Sequence, residues 1–489
     1  MKPINFLKFL IVLSPLCLFS ALLWHYLVPS GERTIVYEMG DTSPIIQRLL
    51  PDERVSELRD RRGDKFVALL DEPVYFSVTP PPGQFESIKV QVAFDPDSTP
   101  TYEIGALKDV AAQAFDFKPL ANNLLEHLDW KRHDLNGGLA VFSKDSQSQA
   151  YKNFLTAPPD RAEVATYRAT FPTPYRLADY RPLGSTQKFD ISLRGPHELL
   201  TYVKDEDFSF DIVYTDVNRT YGADDGSIRV LDENGNLMTE VLLHDDGNIY
   251  GNQEPSQKTT LQLSGRAWPE GVYRVILSST SDVIWRSIST SQRYLVIKNR
   301  VFIGDDVGQL AVPKATSLFA NAQRVTLETQ HREGLQTVTI GDRSLVIDQV
   351  GAKYAALTPA GINELKSPVG DIKITGEGKY ALSEASFFDP DPVPVTAFTD
   401  VEATGVQHVL ANLAPIKFVG GWRVASADYD IDSLATENGA YKFALSAPGV
   451  HDSLGQVTVH AVTVTFEKPR ASPAELVSEL KHLVKLLLP

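Results

Sequence analysis

Acidic residues offer the first chemistry in this chain. Asp428, Asp430 and Asp432 form the string DYDID, and carboxylate oxygens are the ligands that calcium prefers. An EF-hand loop starting at Asp428 needs glycine at its sixth place and glutamate at its twelfth, where this chain has Ser433 and Gly439. The string is therefore not an EF-hand, and three acids on the solvent face of a strand account for it equally well. Asp224-Asp225-Gly226 and Asp245-Asp246-Gly247-Asn248 have the same double character: turn formers first, calcium loops second. No metal site is assigned.

The remaining reactive residue types are dispersed. His127 and His133 flank Trp130, His331 precedes Arg332 and Glu333, and His451 and His460 fall in the last β-patterned stretch. None forms HExxH, and the chain contains no GxSxG elbow, no Walker loop and no dinucleotide fingerprint after a strand. The single cysteine, Cys17, lies in an apolar run, so the rest of the chain has no thiol nucleophile, no cysteine zinc site and no disulfide. Trp130, Trp285, Trp422, Tyr175, Tyr180 and Tyr221 would form a sugar-binding platform if exposed, although large aromatics more often pack in a core. A carboxylate pair for glycoside hydrolysis is recognised by its spacing in space, which an acid-rich sequence does not give. No catalytic or cofactor-binding residue is assigned, no cofactor is expected, and a non-enzymatic role is favoured.

The strongest element in the sequence is at the N-terminus. Phe9 to Val28 is almost wholly apolar, with no acid and no Lys or Arg, and is long enough to cross a bilayer as a helix. Lys2 and Lys8 precede it, while Glu32 and Arg33 roughly cancel after it. The positive-inside bias then places residues 1–8 in the cytoplasm and everything after Pro29 outside, with Trp24 and Tyr26 at the outer headgroup level. Cleavage as a signal peptide near Val28-Pro29-Ser30 competes, but the apolar stretch is long for one. Lipid modification at Cys17 would leave a mostly apolar start and has Leu16, not a small residue, before it. The expected location is the cytoplasmic membrane, single-pass, N-terminus in.

The chain has 489 residues and a formal net charge of −15. Such an acidic total argues against nucleic acid or an anionic lipid surface as the main partner. Asn218-Arg219-Thr220 fits the N-glycosylation triplet.

Period-two alternation dominates after the anchor and predicts a mainly β protein. PVYFSVTP and SIKVQVAF, split by Pro80-Pro81-Pro82-Gly83, begin a β-rich, jelly-roll-like domain over 34–180, which also carries YEIGAL, FDFKPL, GLAVFS and AEVATYRA, and a short helix over 147–155. The segment 170–184, with three prolines, reads as a linker. Residues 186–298 give the cleanest alternation: Phe189, Ile191, Leu193, then Phe208, Phe210, Ile212, and on to YLVIK. Asn234-Gly235 marks a hairpin there. Seven or more short strands at this spacing predict an Ig-like sandwich with Trp268 and Trp285 in its core. Residues 300–468 predict a second jelly-roll-like domain, interrupted by Pro390, Pro392 and Pro394. Ser472-Pro473-Ala474-Glu475 is a capping box, and Leu476, Leu480, Leu483 and Leu487 then share one face. Residues 472–488 thus predict an amphipathic helix that packs on its own domain or meets a partner or membrane surface.

Several strings carry a resemblance: LVPSGE after the anchor, DEPVYFSVTPP, YEIGAL, FDFKPL, FLTAPPDRAEVATY, EGVYRVIL, HREGLQTVTIGD, and YDID leading to YKFALSAPGV. With these the chain resembles an uncharacterised family of single-pass membrane-anchored, β-rich envelope proteins of candidate-phyla bacteria. The resemblance implies an envelope protein, and it brings no catalytic residues. The expectation is a membrane-anchored β-sandwich array, bound to the lipid bilayer through its N-terminal helix, that binds or organises surface glycan or an envelope protein complex. The alternative is a glycan-processing enzyme or an accessory subunit of a glycan synthesis or export complex. A cleft with two carboxylates and aromatics would favour the enzyme; sandwiches without one would favour the scaffold.

Overall fold

The computed structural model describes residues 31–468, apart from 83–84, 98, 111–113, 146–149, 252–255, 305–314, 360 and 452–454. The expected anchor over 9–28 and the expected helix over 472–488 lie outside the described residues. Among the described residues, no helix is long and apolar enough to cross a membrane. The protein is mainly β, and its described helices are a single α-helical turn at Asn123–Glu126 and short 3-10 turns. The chain divides into two compact units: residues 1–129, 134–140 and 412–489 form one, and residues 130–133 and 141–411 the other.

The first unit is built from both ends of the chain. One sheet orders Arg59–Arg61, Asp64–Leu69, Gln456–Lys468, Ser87–Asp97, Trp422–Asp430 and Lys417–Val419, with Gly31–Glu38 also paired to Gln456–Lys468. The second orders Thr436–Glu437, Ala440–Ser446, Thr101–Asp109 and Ala114–Asn122, with Val74–Val78 beside Ala440–Ser446. Alternation drives the layering. Ile88, Val90, Val92 and Phe94 are fully buried, and Lys89, Gln91 and Ala93 between them face the other way. In Gln456–Lys468 the buried residues change phase, from Val457 and Val459 to Val462, Val464 and Phe466. The switch falls at a β-bulge, where His460 is the extra residue. Its ring stacks on Trp422 at 4.9 Å, and Trp422 Nε1–H donates to Asp64 at 3.0 Å.

The second unit contains a central sandwich over 187–303. One of its sheets orders Leu237–Leu243, Gly226–Leu231, Gly271–Ser278, His197–Val203 and Leu295–Ile303. The other orders Thr259–Gly265, Phe208–Asp216, Val283–Thr290 and Gln187–Phe189. The hairpin at Asn234-Gly235 forms: Gly235 has φ 83, and Asp232 accepts the Asn234 and Asn236 N–H groups. Trp285 is fully buried between the sheets, its Nε1–H donating to Gly195 O at 2.8 Å, while Trp268 stacks on Phe208 and Tyr273. Leu295–Ile303 also pairs with Ile372–Ala381, opening a smaller sandwich. There Arg324–Thr329 and Tyr354–Leu357 continue one sheet, and Thr316–Ala320, Asn363–Ser367, Gln336–Ile340 and Arg343–Ile347 form the other. One apolar cluster runs from Ile191 to Tyr380 through both. In each, a tyrosine hydroxyl donates to the carbonyl four residues back: Tyr273 to Pro269 and Tyr380 to Gly376. The unit also holds a sheet in which Val164–Tyr167 runs parallel to both Val393–Pro394 and His408–Asn412.

Three features differ from the sequence reading. Residues 31–126 and 412–468 share one core, rather than lying in separate domains over 34–180 and 300–468. Alternation identifies a strand and its buried face but not its partner, and Gly31–Glu38 pairs with a strand more than four hundred residues away. Residues 170–184 are not a free linker. Tyr180 is buried against Tyr202, Leu177 N–H donates to the Tyr202 hydroxyl at 2.9 Å, and Arg176 makes a bidentate pair with Glu233 at 2.6 and 2.7 Å. Around 147–155, the described part is a 3-10 turn at Ala150–Asn153.

Candidate functional site

The most site-like place is one end of the central sandwich, where segments 216–225, 244–251 and 280–282 converge. The strand Phe208–Asp216 buries Phe208, Phe210 and Ile212, then shifts register between Val213 and Tyr214. The shift leaves Asp216 buried at the strand end, its Oδ1 accepting the Asn218 N–H at 3.0 Å. Asp282, fully buried, holds the next loop: its Oδ2 accepts the N–H and hydroxyl of Thr220 at 2.5 and 2.7 Å. The Thr280 hydroxyl donates to Asp224, and Asp224 N–H donates to Asp245 at 2.9 Å. Gly222 N–H to Ile249 O, 3.0 Å, ties the two loops together. At Gly251 a Cβ would come within 2.9 Å of Arg219 O, so glycine permits the close approach.

On this base stand two aromatics. Tyr221 and Tyr250 are 76% and 61% exposed, and their rings meet edge to face at 6.0 Å. They share the loops with Asp245, Asp246 and Asn248. The acids are crowded. Burial, and then the charges of Asp224, Asp246 and Asp245, push the Asp216 carboxyl up to about 6, and burial raises Asp224 as well. Asp216, Asp245 and Asp246 each offer an oxygen within 4.8 Å of the others, enough to hold a divalent cation. Each also accepts N–H groups: Asp245 from Asp224 and Gly247, and Asp246 from Asn248 and the Asn218 side chain. The surface they present is therefore aromatic faces beside hydrogen-bond acceptors, the lining a polyhydroxylated ligand requires.

The sequence-derived candidates separate clearly. Trp130, Trp285, Trp422 and Tyr180 are buried, Tyr175 packs at 6.2 Å from Phe388, and Tyr221 alone of the six stands out in solvent. Trp130 gives its Nε1–H to Glu402, which also pairs with Lys144 at 2.7 Å. Asn218, the glycosylation-triplet asparagine, is buried and donates to Asp246. Tyr250 was not among the sequence candidates. Its signal is composition: it lies in GNIYGN, a loop segment that exposes any aromatic it contains.

The DYDID string belongs to the first unit. Asp428 and Asp430 are exposed on one face of Trp422–Asp430, with Tyr429 buried between them. Asp428 lies 3.7 Å from Lys89 Nζ, and Asp430 caps the following 3-10 turn, which contains Asp432. The strand thus ends before the third acid. With Glu32, Glu86 and Glu467 these acids line an open cleft beside Gly31 and Lys468. In the same unit burial pushes the Glu72 carboxyl up to about 7, with Glu103 and Asp71 adding to it, while Ser446 donates a hydrogen bond. Glu103 is buried nearby, as the register partner of Ser446 on the same ladder.

No protein-family model matches the chain, and no curated protein matches it in sequence. Among solved structures, it is similar to infectious bursal virus derived T=1 particles at 9% identity, covering 94% of this chain and 84% of that one, with a TM-score of 0.15. An archaeal virus protein with a triple jelly-roll fold and turret assembly gives 6% identity, 73% and 97% coverage and a TM-score of 0.16. Dimeric latent PorU from Porphyromonas gingivalis gives 12% identity, 64% and 31% coverage and 0.14. Scores this low carry no argument about fold or function.

Proposed function

We propose that this chain is a membrane-tethered, extracytoplasmic β-sandwich protein that binds surface glycan of the cell envelope without transforming it. Residues 9–28 supply the tether, and the loops carrying Tyr221 and Tyr250 supply the binding face. The observation behind this reading is the exposed tyrosine pair beside Asp245, Asp246 and Asn248. Two large rings in solvent on loops stitched by buried hydrogen bonds serve no core. Pyranose rings offer apolar faces for such rings and hydroxyls for the acceptors. In co-sedimentation with envelope polysaccharide from the source cells, the full chain should pellet with the polymer. Tyr221→Ala with Tyr250→Ala should remain in the supernatant while keeping the parent's melting temperature.

Glu72 favours a second reading, a glycan-processing enzyme. A carboxyl held at about 7 beside other acids has the profile of a general acid. New reducing ends released from that polysaccharide by the parent but not by Glu72→Gln would establish it.

A further inference from the structure

Lysine is rarely buried, and Lys379 on Ile372–Ala381 is only 5% exposed. Ala320 pairs with Tyr380 on the neighbouring strand, so the next residues along that ladder, Asn321 and Lys379, lie side by side. Asn321 N–H donates to Lys379 O at 3.3 Å, and Lys379 N–H donates to the side-chain oxygen of Asn321, Oδ1, at 2.8 Å. The side-chain nitrogen of Asn321, Nδ2, donates in turn to Asp389 Oδ2 at 2.6 Å. The other oxygen of Asp389 lies 3.5 Å from Lys379 Nζ, and Asp391 Oδ2 lies 2.7 Å from it. One carboxylate, Asp389, therefore holds both an amine and a primary amide. Its loop is fixed: Asp391 N–H donates to Asp389 Oδ1 at 3.0 Å, and Arg161 donates to Pro390 O at 2.7 Å. Phe388, next to Asp389, and Ala381, on the same face of the strand as Lys379, belong to one apolar cluster.

These are the parts of an amide-forming reaction. The Lys379 N–H on Oδ1 polarises the Asn321 carbonyl and is placed to stabilise the negative charge that develops there when Cγ is attacked. Burial raises the Asp389 carboxyl above its ordinary value, against the pull of the Lys379 charge. Burial also pulls the Lys379 ammonium down, which Asp389 and Asp391 together more than offset. Passing one proton from Nζ to Asp389 leaves amine and acid both neutral, a state that a poorly solvated site favours. Fixed adjacency supplies the effective concentration that an amine and an amide lack in water.

We propose that Lys379 and Asn321 condense into an intramolecular amide bond, with Asp389 as the proton carrier. Nζ leaves Asp391, gives one proton to Asp389 and attacks Cγ of Asn321. The Nζ–Cγ bond forms and the Cγ–Nδ2 bond breaks. Nδ2 keeps its two hydrogens, takes a second proton from Nζ and the one held by Asp389, and departs as ammonium. Asp389 ends ionised, Nζ retains one hydrogen, and no oxidant or co-reactant is consumed. The bond ties the residue after Thr316–Ala320 to Ile372–Ala381 within the smaller sandwich, and it is independent of the glycan-binding face.

Peptide mapping of the full chain tests it. An amide at Nζ blocks trypsin after Lys379, so residues 315–324 and 374–417 should appear as one joined peptide, lighter than their sum by one ammonia, about 17 Da. Lys379→Arg and Asp389→Asn should each release 315–324 as a separate peptide, and Asp389→Asn should regain cleavage after Lys379. Separate, unmodified peptides from the parent would overturn the bond and leave Lys379 as a buried ion pair. A free 315–324 with 374–417 lighter by one water, about 18 Da, would place the bond on an aspartate and overturn it as well. Joined peptides persisting in Asp389→Asn would overturn the role given to Asp389.

Discussion

Replacing Asp216 with asparagine should make the protein more stable at neutral pH. The carboxyl is buried at the end of Phe208–Asp216 and is raised from 3.8 to about 6 by that burial and by Asp224, Asp246 and Asp245. A folded-state value above the unfolded one means that the fold favours the protonated acid. The associated stability is complete below pH 3.8 and is lost as pH rises through about 6. At 1.36 kcal/mol per pH unit, the ionised carboxylate costs the fold about 3 kcal/mol at pH 7.5. Asparagine keeps an oxygen for the Asn218 N–H and removes the charge, but adds an amide group that must find acceptors, so about 1–3 kcal/mol should be recovered. For a unit of this size that corresponds to roughly 2–10 °C in melting temperature. The assay is thermal melting of parent and Asp216→Asn from pH 4 to pH 8. The gain should be full at pH 7.5 and close to zero at pH 4. A variant less stable than the parent at pH 7.5 would refute the reasoning. So would a parent stabilised by millimolar calcium and not by chelator, with the effect absent in Asp216→Asn, since the acids would then be ligands rather than mutually repelling charges.

His197 is buried and neutral: Phe302 N–H donates to its Nε2 at 3.0 Å, and its Nδ1 lies 3.0 Å from Gly195 O. Burial lowers it from 6.5 to about 4, so stability present above pH 6.5 should fall by about 3 kcal/mol as pH drops through about 4; urea titrations should show this acid limb disappear in His197→Asn. Trp285→Ala should cost about 3–5 kcal/mol by denaturant melting, as it removes a fully buried indole and its bond to Gly195. Tyr180→Ala should make residues 170–184 sensitive to trypsin at Arg176 and Arg181 without lowering the main melting transition by more than a few degrees, since the segment is held on the outside of its sheet.

Strand positions were largely legible in the sequence, and so was the side each buries. SIKVQVAF and FSFDIV show the alternation that the structure uses, and QVTVHAVTVTF even shows the change of phase at His460 that the bulge produces. What local pattern does not encode is the partner. The pairing of Gly31–Glu38 with Gln456–Lys468, and the sharing of Leu295–Ile303 between two sandwiches, are set by which apolar faces close one core. The site was half visible. The acid pairs at 224–225 and 245–246 stood out as turns, but only the fold brings them to Asp216 and Asp282. The tryptophans pack as large aromatics usually do, and each of Trp130, Trp285 and Trp422 satisfies its indole N–H inside the protein. The exposed ring pair instead joins Tyr221 and Tyr250, twenty-nine positions apart, through the contact between their loops.

The central claim is that the loop end carrying Tyr221 and Tyr250 is a glycan-binding face, and amide hydrogen exchange tests it most directly. The full chain is labelled with and without envelope polysaccharide from the source cells. The account predicts slowed exchange in peptides covering 217–225 and 244–251, and unchanged exchange along Trp422–Asp430 and around Glu72. Protection confined to the first unit, or no protection anywhere at saturating polysaccharide, would contradict it.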